Sequence, residues 1–311
     1  MNYEKFNKII EKKVIDVTKL KSGINNPTYK IKTENSKYIV QFAGDKFPDK
    51  ITRQPKIVDL LRKKTSLPIY DIIKSDTTHK NLNRDYIILE YLSGKLIKNA
   101  QFDKNKVINL YKDIAKYLSS LHSINYNSFG EIKFENKIQI KPSYDTAREL
   151  IYNEYISWIK KAKETVFEDK IEYLINWLNK NISVFGDDIK PSLTHNDFSD
   201  SNILVSENGK ITGILDLDNI SIGNNVTDIY RIHNYFEGEL KEIGLKTFYE
   251  NYSIDLPNNY KKQIKFYQKT HVLAYIDCWK QIKESYSKKQ LKEMIKNMNK
   301  EIDELLKTKV I

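Results

Sequence analysis

A single cysteine in 311 residues, Cys278, can close no intramolecular disulfide and can build no thiolate metal site. No run approaches the roughly eighteen uninterrupted apolar residues of a membrane-spanning helix, and the opening MNYEKFNKII has no apolar signal-peptide core. The five histidines are too dispersed for an H-E-x-x-H helix, and there is no G-x-x-x-x-G-K-[ST] loop, so zincin-type hydrolysis and a P-loop nucleotide site are excluded. Internal repeats, low-complexity linkers and tracts of about five or six like charges are also missing. These absences lead us to expect a soluble, cytoplasmic protein that does not bind membranes.

What is present suits a globule. The chain is 40% hydrophobic and 30% charged, enough to bury a sizeable core, and its length is comfortable for two domains. The formal net charge of +11 raises the question of nucleic acid. Residues 1–92 hold 19 Lys and Arg against 11 Asp and Glu, leaving 33 against 30 for the rest. The excess is dispersed and is read as suited to a phosphate ligand, with no nucleic-acid partner expected.

Periodicity orders the chain. Phe6, Ile9 and Ile10 mark a short helix over 3–13, and three short strands are expected at Val14–Leu20, Thr28–Ile31 and Tyr38–Phe42, joined by turn-forming segments. Ile57, Leu60 and Leu61 place a helix over 51–64, and Tyr86–Leu92 reads as another strand of the same antiparallel sheet. Beyond it, Val107, Leu110, Tyr111, Ile114, Leu118 and Leu121 put an apolar stripe on a helix over 105–122. Amphipathic runs at 144–163 and 168–182, a strand pair at 203–205 and 211–215, and helices from Asp228 almost to the end complete the pattern. The expected class is α+β, with a sheet-bearing lobe over 1–92 and a mainly helical lobe over 93–311.

The chemistry is concentrated in HNDFSDSNILV (195–205) and ILDLDNISIG (214–223). Two polar clusters flank one apolar strand pair, which brings Asp197, Asn202, Asp216 and Asp218 to the same end. Converging side-chain oxygens of that kind suit Mg²⁺, a hard cation that takes few protein carboxylates and completes its shell with phosphate oxygens. His195, Asp197 and Asn202 follow H-x-D-x-x-x-x-N, the spacing by which kinases hold a base and a metal ligand on one loop.

With Thr227-Asp228-Ile229-Tyr230, these segments resemble the aminoglycoside phosphotransferase family, which is similar to choline, fructosamine and N-acetylhexosamine kinases and shares the protein-kinase fold. The resemblance extends to Ser22-Gly23-Ile24-Asn25-Asn26 as a phosphate-covering loop, to Tyr38–Phe42 as the third strand and to Ile88-Leu89-Glu90-Tyr91 as the hinge. It implies a bilobal protein-kinase-like fold in which 1–92 binds the nucleotide and 93–311 carries the catalytic loop and acceptor site. Asp197 would be the catalytic base, Asn202 and Asp216 the Mg²⁺ ligands and Asp218 a further acidic contact. Gly23, Gln41 and the hinge at Glu90, Tyr91 and Leu92 would contact ATP or GTP. The implied acceptor is a hydroxyl of an aminoglycoside-like, sugar or amino-alcohol molecule, with antibiotic resistance as one consequence, and the implied state is a monomer or weak dimer. Helices at 144–182 and the acidic residues Glu237, Glu239 and Glu242 are candidates for the acceptor side.

Taken singly, these residues have plainer roles. Asp197 could be a turn former, Asp218 a helix cap, Gly23 an ordinary turn glycine, and His195 a structural hydrogen-bonder. Asp228 reads as an orienter of the catalytic loop. Two positions depart from the family: Gln41 stands where the third strand commonly has Lys or Arg, and Gln54 where the helix commonly has the Glu partner. The two glutamines are expected to face one another, leaving phosphate charge to Mg²⁺ and to Lys30, Lys46 or Arg53. The same glutamines favour an alternative, a catalytically degenerate nucleotide-binding module, which the intact Asp197, Asn202 and Asp216 oppose. A protein kinase proper is disfavoured by the missing D-F-G and A-P-E pair.

Overall fold

The computed structural model describes residues 3–20, 27–44, 49–134 and 138–310. In chain order the first elements are α1 (Glu4–Ile10), β1 (Val14–Lys19), β2 (Thr28–Thr33), β3 (Lys37–Phe42), α2 (Asp49–Lys64), β4 (Ile72–Asp76), β5 (Tyr86–Glu90) and β6 (Lys95–Leu96). Next come α3 (Lys104–His122), β7 (Phe129–Phe134), β8 (Ile138–Tyr144), α4 (Ala147–Lys160), α5 (Ile171–Asn181) and β9 (Ser192–Thr194). The chain continues with β10 (Ile203–Val205), β11 (Ile211–Ile214), β12 (Ser221–Gly223), α6 (Val226–Ile232) and α7 (Gly238–Asn251). It ends with α8 (Tyr260–Asp277), α9 (Trp279–Ser285) and α10 (Lys288–Leu306). Among the described residues no helix is long and apolar enough to cross a membrane.

The chain divides into two compact units. The first comprises Met1–Leu121, Asp197–Ile220 and Tyr235–Ser253. It holds an antiparallel five-stranded sheet, ordered β1-β2-β3-β5-β4, and a three-stranded sheet ordered β11-β10-β6. Strand alternation decides its core: Val40 and Phe42 of β3 turn inward with Ile31, Tyr86 and Ile88 against Phe6 and Ile9 of α1, while Gln41 faces the other way, half-buried. The α3 stripe is fully buried from Val107 to Leu121. α7 approaches α3 at Gly244, where a Cβ would fall 2.5 Å from the Tyr111 ring.

The second unit comprises His122–Asn196, Ser221–Asn234 and Ile254–Ile311. Its antiparallel sheet is ordered β8-β7-β12-β9. Phe266 of α8 sits at the centre of its aromatic core, with Tyr155, Trp177 and Phe185 ring centroids 5.5, 5.4 and 5.0 Å away. α4 begins later than the periodicity suggests, at a capping box formed by Thr146 and Glu149. Residues 138–144 are strand, and β8 is mostly exposed or half-buried, so it carries no apolar signal.

Candidate active site

β10 and β11 pair in register Ile203↔Ile214, and the Leu215 N–H donates to the Asn202 carbonyl at 2.8 Å, so Asn202 and Asp216 emerge side by side. Asn202 then reaches back along its own loop. Its amide nitrogen donates to Asp197 Oδ2 at 2.7 Å and to the Asp197 carbonyl at 3.0 Å. This fixes the amide orientation and directs Asn202 Oδ1 away from Asp197. Asp216 takes a left-handed backbone, φ +56°, at the start of a single 3₁₀ turn, Leu217–Asn219, that also carries Asp218. The structure therefore brings Asp197, Asn202 and Asp216 together at one end of the strand pair, with Asp218 on the adjoining turn.

The backbone that leads into Asp197 is held from within the second unit. Asp228 of α6 is fully buried; its Oδ2 accepts the His195 N–H at 2.8 Å and its Oδ1 accepts the Asn196 N–H at 2.8 Å. His122, equally buried, shares Oδ2 through Nε2 at 3.0 Å. Burial pushes the Asp228 carboxyl up, but the His122 bond, the charges of His122 and His195 and the His195 N–H outweigh it and hold the group below its ordinary range. Asn196 has φ +63° and is braced by Ser221 Oγ at 2.8 Å and Thr227 Oγ1 at 3.2 Å. His122 lies about one hundred positions from Asp228, so no local motif could have revealed the pair.

Of the residues expected to serve the nucleotide, Gly23 and Lys46 lie outside the described residues. Gln41 pairs with Thr28 of β2 and Ile87 of β5. Glu90 ends β5, exchanging backbone contact with Asp71 and accepting the Asp71 N–H on its carboxylate at 3.2 Å. The Tyr91 ring lies under Lys37 Nζ at 5.3 Å. Leu92 packs on the catalytic strand pair: a Cβ on Gly213 would be 2.8 Å from Leu92 Cδ1. Just beyond, β6 joins β10 in register Leu204↔Leu96. The hinge exit and the catalytic loop thus share one small sheet, which two residues of strand are too short to announce by periodicity.

The expected face-to-face pairing of the glutamines is corrected. Gln54, 4% exposed, donates from Nε2 to the Tyr70 hydroxyl at 2.8 Å, and its Oε1 has no partner among the described residues, so no amide bond joins it to Gln41. Arg53 directs its guanidinium to the Asp218 and Ile220 carbonyls at 2.7 and 2.5 Å. Glu239, a candidate for the acceptor side, is paired with Lys104 at 2.5 Å.

The family model of the phosphotransferase enzyme family, APH, matches residues 16–261. This chain belongs to that family. Its fold is shared nearly end to end with aminoglycoside phosphotransferase APH(2'')-Ib bound to ADP, at 19% identity and TM-score 0.67, covering 99% of this chain and 97% of that one. A fructosamine-3-kinase candidate from Haemophilus somnus aligns at 15% identity and TM-score 0.66, covering 97% and 96%. At such identities the likeness establishes the fold, a protein-kinase-like α+β architecture. Acyl-CoA dehydrogenase family member 11 of Mus musculus is 21% identical over 233 residues, 72% of this chain but only 28% of that protein, so the chain spans little more than a quarter of that relative.

In this phosphotransferase-family chain, one titrating group was not foreseen. Glu154 of α4 is pushed up to about 7, first by the protein crowded around it and then by the charges of Asp277 and Glu131, although the residue keeps access to water. A carboxyl raised in this way contributes stability that is fully present below its unfolded value near 4.5 and is lost as pH rises through about 7. Glu154→Gln is therefore expected to be more stable than wild type near pH 8, by on the order of 1 kcal/mol after allowing for screening by water. The two proteins should melt alike near pH 5. Melting curves at the two pH values check this; a difference independent of pH would reject it.

Proposed function

We propose that this chain transfers the γ-phosphoryl group of ATP or GTP to a hydroxyl of a small molecule, an aminoglycoside-like, sugar or amino-alcohol acceptor. The observation that carries the reading is the convergence of Asp197, Asn202 and Asp216, on a loop whose preceding residues are pinned by buried Asp228. Residues 1–92 would form the nucleotide-binding lobe, with Gly23 and Gln41 toward the phosphates and Glu90, Tyr91 and Leu92 toward the base. Residues 93–311 would supply the catalytic loop and the acceptor site.

The donors fit Mg²⁺. No group of three or more His, Cys, Asp or Glu among the described residues could hold a metal alone. Asn202 Oδ1 and the Asp216 carboxylate are hard oxygens of the few-ligand kind that Mg²⁺ takes alongside phosphate oxygens, with Asp218 close behind. Held by Asn202 and Asp216, the cation would supply positive charge to the phosphates, which matters the more because Gln41 brings none. Asp197, oriented by the Asn202 amide, would hold the acceptor hydroxyl and take its proton as the new oxygen–phosphorus bond forms and the nucleoside diphosphate leaves. The chemistry asks for positioning and charge neutralisation more than for imidazole, so buried His195 serves the loop's structure.

Transfer from ATP and from GTP across a panel of hydroxyl acceptors tests the activity, and nucleotide binding without transfer to any acceptor would favour the degenerate module. For the metal, Asp216→Ala is expected to weaken Mg²⁺-dependent nucleotide binding by roughly tenfold or more while leaving binding in EDTA nearly unchanged. Calorimetric titrations with Mg²⁺ and with EDTA measure both; an unaltered Mg²⁺ increment in the variant would remove Asp216 from the metal.

A further inference from the structure

The turn from Asp216 to Ile220 is held by two side chains of its own unit, Arg53 and Tyr70, with Gln54 behind Tyr70. Arg53 of α2 holds the Asp218 and Ile220 carbonyls. The Tyr70 oxygen accepts Gln54 Nε2 at 2.8 Å and, on another side, faces the backbone N–H of Leu217. Tyr70 and Gln54 are each only 4% exposed. The phenol is close enough to the carboxylates for its acidity to register them: burial first, then the charges of Asp218 and Asp216, push it well above the ordinary phenol range.

At φ +56° Asp216 occupies the left-handed region, which is uncommon outside glycine although aspartate enters it more readily than most residues, so contacts on either side of it help to hold the turn. On one side the Leu215 N–H is fixed on Asn202, and on the other the Tyr70 oxygen faces the Leu217 N–H. The grip also accounts for the amide at position 54. A glutamate there would offer the phenol oxygen no N–H, and it would bring a further buried negative charge toward Asp216 and Asp218.

We infer that Tyr70, held by Gln54 and assisted by Arg53, is a positioning residue for Asp216, setting the 216–220 turn in its metal-binding shape before nucleotide arrives. The inference rests on the metal role proposed for Asp216. α2 is thereby coupled to the metal ligand through neutral hydrogen bonds and a guanidinium on backbone carbonyls, in place of an ion pair between strand and helix.

Tyr70→Phe keeps the ring and deletes the shared oxygen. In the full-length protein without metal or nucleotide, amide hydrogen exchange over 215–220 should quicken by about tenfold, with β1 to β3 unchanged. With ADP present, Mn²⁺ affinity followed by electron paramagnetic resonance should fall by about tenfold, while ADP affinity in EDTA stays the same. Gln54→Met, which removes one of the two donors and leaves Tyr70 in place, should give the same pattern at smaller amplitude. Unchanged exchange over 215–220 in both variants, or unchanged Mn²⁺ affinity, overturns the inference. A wild-type protein whose ADP complex takes up no Mn²⁺ overturns the metal reading itself and the inference with it.

Discussion

Asp197→Asn should lower turnover by about two orders of magnitude or more while nucleotide affinity and melting temperature stay close to wild type. Asp197 Oδ2 already accepts the Asn202 amide at 2.7 Å. An asparagine keeps an oxygen for that bond but replaces the other carboxylate oxygen by an NH₂ group, which cannot accept a proton from an acceptor hydroxyl. Asp197 is only half-buried and its carbonyl bond to Asn202 survives the change, so the loop should hold its course. Steady-state rates, nucleotide titrations and melting curves taken on the same preparations separate a chemical defect from a folding defect. Near-normal turnover in the variant would end the assignment of Asp197.

The largest loss of stability is expected at Asp228→Ala. One carboxylate with no exposure satisfies two backbone N–H groups and the ring of His122, so its removal takes that acceptor from two buried groups and one half-buried one. Breaking a buried charge cluster from one side costs about 3–5 kcal/mol, whatever the net worth of the intact cluster. Asp228→Asn, which keeps one acceptor oxygen, should lie between alanine and wild type. The pH dependence has a definite sign. A carboxyl held below its unfolded value contributes stability that is present above the ordinary carboxylate range and is lost as pH falls through its lowered folded value. The gap between wild type and Asp228→Ala should therefore persist to below about pH 4 and narrow only in stronger acid. Denaturant titrations at several pH values measure it; a gap under about 1 kcal/mol at neutral pH would show that the cluster does not hold the loop.

The local code of this chain was legible where a pattern repeats over enough residues. Apolar runs bounded by turn formers announced β1, β2, β3 and β5, and the apolar stripe announced α3, because each buries side chains against a core over several residues. The meeting of the proposed site residues was legible for a different reason: Asp197 and Asn202 share one short loop, and Asp216 follows a strand that pairs with the one after Asn202, so sequence spacing already determines it. Of the strands of two or three residues, β10 was legible through its all-apolar Ile203-Leu204-Val205, whereas β6, β9 and β12 left no trace, since so short and mixed a run has no period and depends on the hydrogen bonds another strand offers.

Which neighbours those residues would have was decided by tertiary structure alone. Gln54 and Gln41 were expected to face one another, yet the Gln54 amide bonds Tyr70, sixteen residues along, and Arg53 turns to carbonyls 165 and 167 residues away. His122 and Asp228 meet across 106 residues. A side chain's identity gives its donors, acceptors and charge, and the fold of the backbone chooses which of many distant partners they reach. The sequence by itself therefore determined the class of fold and which residues the 197–202 loop and the 216 turn bring together, while the packing of the folded chain determined what holds that loop and the Asp216 turn in place.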